Sequence, residues 1–93
     1  MRIAEVVGTV TLSRWHPSLT GARWKLVVPL DLRGLAGETA GRGEPIAAFD
    51  EYGAGVGHRI AIADGAEAAA PFRPETKPVD AYNAAILDRI EIT

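Results

Sequence analysis

The residues of this chain that could do chemistry are few and scattered. His16 and His58 supply the imidazoles, Ser13 and Ser18 the candidate hydroxyl nucleophiles, and Asp50, Glu51, Asp64 and Asp88 the carboxylates, set among turns and strand ends. The two histidines stand far apart, outside any HExxH spacing, and the chain has no cysteine; a zinc–thiolate site, a thiol nucleophile and a disulfide framework are therefore excluded. Neither serine sits in a GxSxG elbow. A pair of carboxylates working as acid and base needs a pocket around it, and a domain this small seldom encloses one. His16 before Pro17 reads as an exposed loop residue, and His58 as a surface histidine at a strand edge. No catalytic, cofactor-binding or metal-binding residue is expected, and the chain is not expected to be an enzyme.

The densest local signal is the glycine run Asp50-Glu51-Tyr52-Gly53-Ala54-Gly55-Val56-Gly57, followed by the alternating stretch His58-Arg59-Ile60-Ala61-Ile62-Ala63. A nucleotide-binding glycine loop needs a strand before it and a helix after it. Here a strand-like segment follows, so the run reads as a tight connection between strands.

The rest of the chain must position that loop. Its 93 residues predict one domain spanning 1–93. Mass scaling gives roughly 5,200 Å² exposed when folded against about 14,000 Å² unfolded, a burial of about 64% that leaves little margin. Nearly half of the residues, 47%, are hydrophobic, more than so small a core needs, and self-association would cover the surplus. A net charge of −2, with no polybasic cluster and no stacking platform of aromatic and basic residues, argues against nucleic acid. The N-terminal stretch lacks a signal-peptide core, and Leu26-Val27-Val28-Pro29-Leu30 is too short and too broken to span a membrane. A soluble intracellular protein is expected.

Periodicity makes the domain mainly β. Ala4, Val6, Val10 and Leu12 share one face of a first strand, and Gly8 between them marks a bulge or bend. Trp24, Leu26, Val28, Leu30 and Leu32 alternate along a second, with Pro29 demanding an edge or a bulge. Of Trp15 and Trp24, one is expected in the core. His16 to Gly21 reads as a turn, and Arg33 to Gly43 as a mobile, glycine-rich connection. Glu44–Phe49 is a third strand and Ile60–Ile62 centres a fourth. Ala66–Ala70 offers a helical turn that Pro71 should stop. Val79–Ala85 has helix-forming composition, and Ile86, Ile90 and Ile92 suit a closing strand. These elements predict a small OB-like five-stranded barrel with one or two short helices.

The order of these motifs resembles a known family. Met1-Arg2-Ile3-Ala4-Glu5-Val6-Val7-Gly8-Thr9-Val10 looks like the first strand of the EutN/CcmL-type vertex proteins of bacterial microcompartment shells. Leu19-Thr20-Gly21 with Lys25, the loop Asp50–Gly57, and Pro78-Val79-Asp80-Ala81 continuing to Ala85-Ile86-Leu87-Asp88-Arg89-Ile90 match its later signatures. The resemblance covers nearly the whole chain in order. It departs at His58, where the family often has glutamate, and at Gly65-Ala66-Glu67-Ala68-Ala69, where the family often reads Gly-Ser-Ala-Ala-Arg.

What the resemblance implies is a structural role: a cyclic homo-pentamer of OB-like barrels that caps the five-fold vertices of a cytoplasmic shell beside hexameric and trimeric shell proteins. It implies no cofactor, no nucleic acid and no membrane. Gly53, Ala54, Gly55, Val56 and Gly57 are then expected near the five-fold axis or the subunit contact. The alternatives are a stand-alone OB-like module that binds a small ligand or single-stranded nucleic acid, and a small enzyme or metal-binding domain.

Overall fold

A computed structural model describes residues 1–92. Five strands, β1 (Arg2–Val10), β2 (Trp24–Leu30), β3 (Ile46–Phe49), β4 (Arg59–Asp64) and β5 (Ala81–Leu87), close into a barrel in the order β1-β2-β3-β5-β4. Every neighbouring pair is antiparallel except β3 and β5, which meet in parallel through Phe49 and Tyr82. One short helix, α1 (Leu32–Leu35), and 3-10 turns at Pro17–Leu19, Thr39–Gly41 and Gly65–Phe72 fill the connections. The expected mainly β, OB-like barrel is thus the observed one.

Alternation alone does not describe how the strands bury their side chains. The β1–β2 register shifts between Val6 and Gly8, the bulge that the glycine signals. Along β2 the buried residues are Trp24, Val27, Val28 and Leu30, so the inward face changes phase partway. On one side of that change, Val27 joins Val6, Ala48, Ile60 and Ile62 in the barrel core. On the other, Trp24 joins Phe49, Tyr82 and Ala68 in a second, aromatic core under the 3-10 turn at Gly65–Phe72. Phe49 is its hub: its ring centroid lies 5.4 Å from Trp24, 4.9 Å from Phe72 and 6.1 Å from Tyr82. The contacts with Trp24 and Phe72 are edge-to-face and that with Tyr82 is stacked, and such contacts add to the area that the rings bury.

β1 pairs with β4 only through Arg2–Glu5, so its second half is paired on one edge alone, with the start of β2, whose other edge β3 covers. The molecule is elongated, 42 × 26 × 20 Å with a radius of gyration of 13.4 Å, against about 12 Å for a compact chain of this length. It exposes 5964 Å², well above the roughly 5,200 Å² of a typical monomer of its mass.

Five expectations need correction. Val79–Ala85 is not helical: residues 81–87 form β5, because six residues of β4 offer it pairing partners, and closing the barrel outweighs the helix preference of alanine. The closing strand therefore ends at Leu87, and Ile90 and Ile92 lie beyond it. The Arg33–Gly43 connection is built rather than loose. It holds α1 and a 3-10 turn, fastened where Gly34 and Gly41 touch so closely that a Cβ on either would overlap the other's backbone. Leu32, placed by alternation on the inner face of β2, belongs to α1 and is exposed. Finally, Pro71 lies inside its 3-10 turn, which runs on to Phe72. Pro29 pairs with Ala4, and β3 reaches only to Val27 along β2; beyond it the chain at Gly43 donates to the Pro29 carbonyl at 2.8 Å, an edge contact outside the regular ladder of the kind proline tolerates.

Candidate functional site

The glycine run leaves β3 at Asp50 and returns to the barrel at His58, and a buried polar node gives it shape. The Asp50 carboxylate, 1% exposed, accepts the backbone N–H of Tyr52 at 3.1 Å and of Ala54 at 2.9 Å. These bonds reproduce within the chain what an Asx turn does. A third comes from Asn83 Nδ2 on β5 at 3.0 Å, and the Asn83 carbonyl oxygen in turn accepts the N–H of Ala85 at 3.1 Å. Asn83 is fully buried, so each of these contacts removes a desolvation cost that would otherwise stand. Beside the node, Tyr82 donates its hydroxyl to Glu51 at 2.7 Å. Burial first, then this bond and the neighbouring Tyr52, push the Tyr82 phenol above its ordinary value near 10.

The far end of the loop is stitched to β1 and to itself. Gly57 donates to the carbonyl of Val6 at 2.9 Å, Val6 donates to the carbonyl of His58 at 2.9 Å, and His58 donates to the carbonyl of Gly55 at 3.0 Å. The His58 ring closes the turn: its Nδ1 accepts the N–H of Gly55 at 2.9 Å.

These constraints place the five candidate contact residues differently. Gly53 and Gly57 take φ of +75° and +90°, a region that costs glycine little. Ala54 turns into the barrel core, while Val56 between them is 74% exposed and Tyr52 56% exposed. Gly55 has no left-handed backbone, and a Cβ there would meet the His58 ring at 3.7 Å, an ordinary contact. The chain itself therefore does not need glycine at position 55. The loop offers solvent a ridge of backbone with one aliphatic side chain on it.

The other candidate residues stay apart. His16 caps the exposed 3-10 turn at Pro17–Leu19, its Nδ1 2.7 Å from the Ser18 hydroxyl. Asp64 lies 3.5 Å from Arg2 in an exposed ion pair. Trp24 is in the core and Trp15 is half exposed. A hollow of about 710 Å³ is an open groove beside α1 and the end of β2. Its Asp31 is bonded to the N–H groups of Arg33 and Gly34 and to the Arg33 guanidinium, and its Arg42 is paired with Glu5 at 2.8 Å. Among the described residues no group of three or more His, Asp or Glu is arranged to hold a metal, and no helix is long and apolar enough to cross a membrane. Asn83 and Tyr82 are the site residues that sequence reading misses. The Asp50 turn is legible from its spacing, but nothing local points to a partner 33 residues away.

A closed barrel in this strand order, with its most elaborate polar network spent on shaping a surface loop, is a scaffold of the OB-like class. The family described as "Ethanolamine utilisation protein EutN/carboxysome" matches residues 1–88, and the chain belongs to that family. It is 37% identical over 92 residues to the carboxysome shell vertex protein CcmL of Synechococcus elongatus, covering 99% of this chain and 88% of that one. Its fold superposes on the structure of Gloeobacter violaceus CcmL with a TM-score of 0.81 at 30% identity, over 99% of this chain and 90% of the other. The pentameric microcompartment shell protein GrpN from Rhodospirillum rubrum superposes with a TM-score of 0.80 at 25% identity, over 100% and 99% of the two chains.

Proposed function

We propose that this protein is a structural subunit that closes into a homo-pentamer and caps the five-fold vertices of a bacterial microcompartment shell in the cytoplasm. Its neighbours there would be hexameric and trimeric shell proteins, and it would carry out no catalysis. The observation that carries this reading is the end-to-end match, without a missing element, to a pentameric shell protein. Flat hexagonal tiling cannot close, and five-fold units supply the curvature a polyhedral shell requires.

Physical features of the lone chain agree. A cyclic ring is a heterologous assembly, in which one patch of each subunit meets a different patch of the next. The surplus surface leaves area for two such patches. The loop Gly53–Gly57, presenting backbone and Val56 outward, suits a contact where chains approach closely. In this reading Gly55 is glycine because of the neighbouring subunit rather than its own fold.

Native mass spectrometry tests the proposal. A species at about five times the 9.9 kDa chain mass supports it. A monomer that persists at high concentration overturns it.

A further inference from the structure

The His58 ring closes the turn of the glycine loop through a hydrogen bond. Its Nδ1 accepts the Gly55 N–H at 2.9 Å, so the bound proton of the neutral ring must sit on Nε2. A protonated imidazole carries hydrogen on both nitrogens and cannot accept. It would turn an N–H toward the Gly55 N–H and open the turn that His58 itself closes. We propose that His58 is a pH-operated latch on the Gly53–Gly57 loop, holding the loop in its association-competent shape when neutral and releasing it when protonated. The inference rests on the reading of this loop as a subunit contact.

The surroundings leave the ring free to respond. It lines an open hollow of about 460 Å³ with Arg59 of β4 and Asp88 beyond β5, and with the apolar side chains of Ile86, Leu87 and Ile90. Asp88 and Arg59 are the charged groups of this hollow, and the Arg59 guanidinium donates to the carbonyl of Leu35 at 3.4 Å. β1 contributes only the backbone of Val6 at the turn; its charged neighbour Glu5 is paired with Arg42. Residues 53–57 carry no charge, and Glu51 just before them accepts from Tyr82.

The sign follows from linkage. The latched state needs neutral His58 and so binds fewer protons than the released one, and association strengthens as pH rises. Closure into a ring amplifies the effect, because every subunit contributes a latch. A threefold weakening per subunit compounds to roughly two-hundred-fold over five independent latches.

The test compares the wild-type chain with His58→Gln, whose amide oxygen accepts without titrating, between about pH 8 and pH 5, where imidazole changes charge. Two readouts are taken on each protein: nitrogen NMR of the His58 ring with the Gly55 amide, and assembly mass by native mass spectrometry. Expected is an Nε2-protonated ring at high pH, a Gly55 amide that shifts together with the ring, and a ring-to-monomer transition in acid that His58→Gln lacks. If the Gly55 amide ignores the ring titration, the latch is refuted whatever the oligomer does. If the two move together but mass is constant as a pentamer, the latch is local and its coupling to assembly is refuted. If both proteins are monomers throughout, the pentamer reading fails and takes the coupling with it.

Discussion

Asn83 on β5 donates its side-chain amide to the Asp50 carboxylate at 3.0 Å across 33 residues of chain, and both groups are buried. This one contact ties the closing strand to the root of the glycine loop. The strand that completes the barrel and the loop presented to solvent are therefore not independent parts. Shape at the surface is set by a polar node beneath it.

That coupling makes Asn83 the most sensitive polar position outside the loop. In Asn83→Leu the buried Asp50 carboxylate loses a donor and the part-buried Ala85 N–H its acceptor. The expected cost is about 2–4 kcal/mol, the penalty for leaving buried polar groups unpaired. Urea denaturation checks it. Asp50→Asn should also be destabilising, because Tyr52 and Asn83 donate to one carboxylate oxygen and Ala54 to the other, and the single oxygen of an amide leaves one of these sites with its NH2 facing a donor.

The barrel was largely legible in the sequence and the node was not, for a physical reason. Strands announce themselves by local alternation, as Ile60 and Ile62 do, and glycine at the Gly8 bulge announces itself by type. The loop's Asp50 turn is equally local. Asn83 sits in Ala81-Tyr82-Asn83-Ala84-Ala85, whose alanines favour helix until the unpaired edge of β4 outweighs them. A partner brought in by closure leaves no periodic trace. The same holds for Gly34 and Gly41, whose glycines suggest mobility in sequence and mark a close contact in space.

Gly41→Ala therefore should damage the fold more than a glycine-rich loop would suggest. The added methyl would land on the backbone nitrogen of Gly34 and the carbonyl carbon of Arg33, neither of which can retreat like the tip of a flexible side chain. A loss of about 1–3 kcal/mol is expected, read as a lower thermal midpoint. Gly37→Ala is the comparison: nothing stands within 4 Å of its Cβ, and only the φ of +95° resists.

Tyr82 predicts an alkaline limit to stability. Its folded value lies above the ordinary phenol value near 10 because of burial and the Glu51 bond. A raised value means that the stabilisation is complete below the unfolded value and is lost as pH climbs beyond it. Denaturation midpoints should therefore fall above about pH 10. Phenolate absorbance should show Tyr82 ionising only with unfolding, and Tyr82→Phe should remove that component.

Asp31 predicts the opposite limb. The Gly34 N–H first, with Arg33 adding to it, holds its carboxyl below the ordinary value of 3.8. The contribution is present above that value and fades as pH falls through the lower folded one. Asp31→Ala, which also removes the cap of α1, should lower the thermal midpoint near neutrality. The wild-type advantage over it should then shrink in strong acid.

Gly55 separates folding from association. Its backbone is not left-handed and its Cβ site is free of clashes within the chain, so Gly55→Ala should leave the monomer's stability within about 0.5 kcal/mol, as at an ordinary surface position. Gly55→Leu extends several atoms into the space where the neighbouring subunit is proposed to lie. Its circular dichroism should remain that of a folded barrel while native mass drops from ring to monomer. Gly53→Leu should behave differently, losing stability in the monomer itself because φ of +75° strains any side chain. If Gly55→Leu kept an intact ring with wild-type stability, the loop would lie away from the subunit contact, and the exposed Val56 beside it would need another explanation.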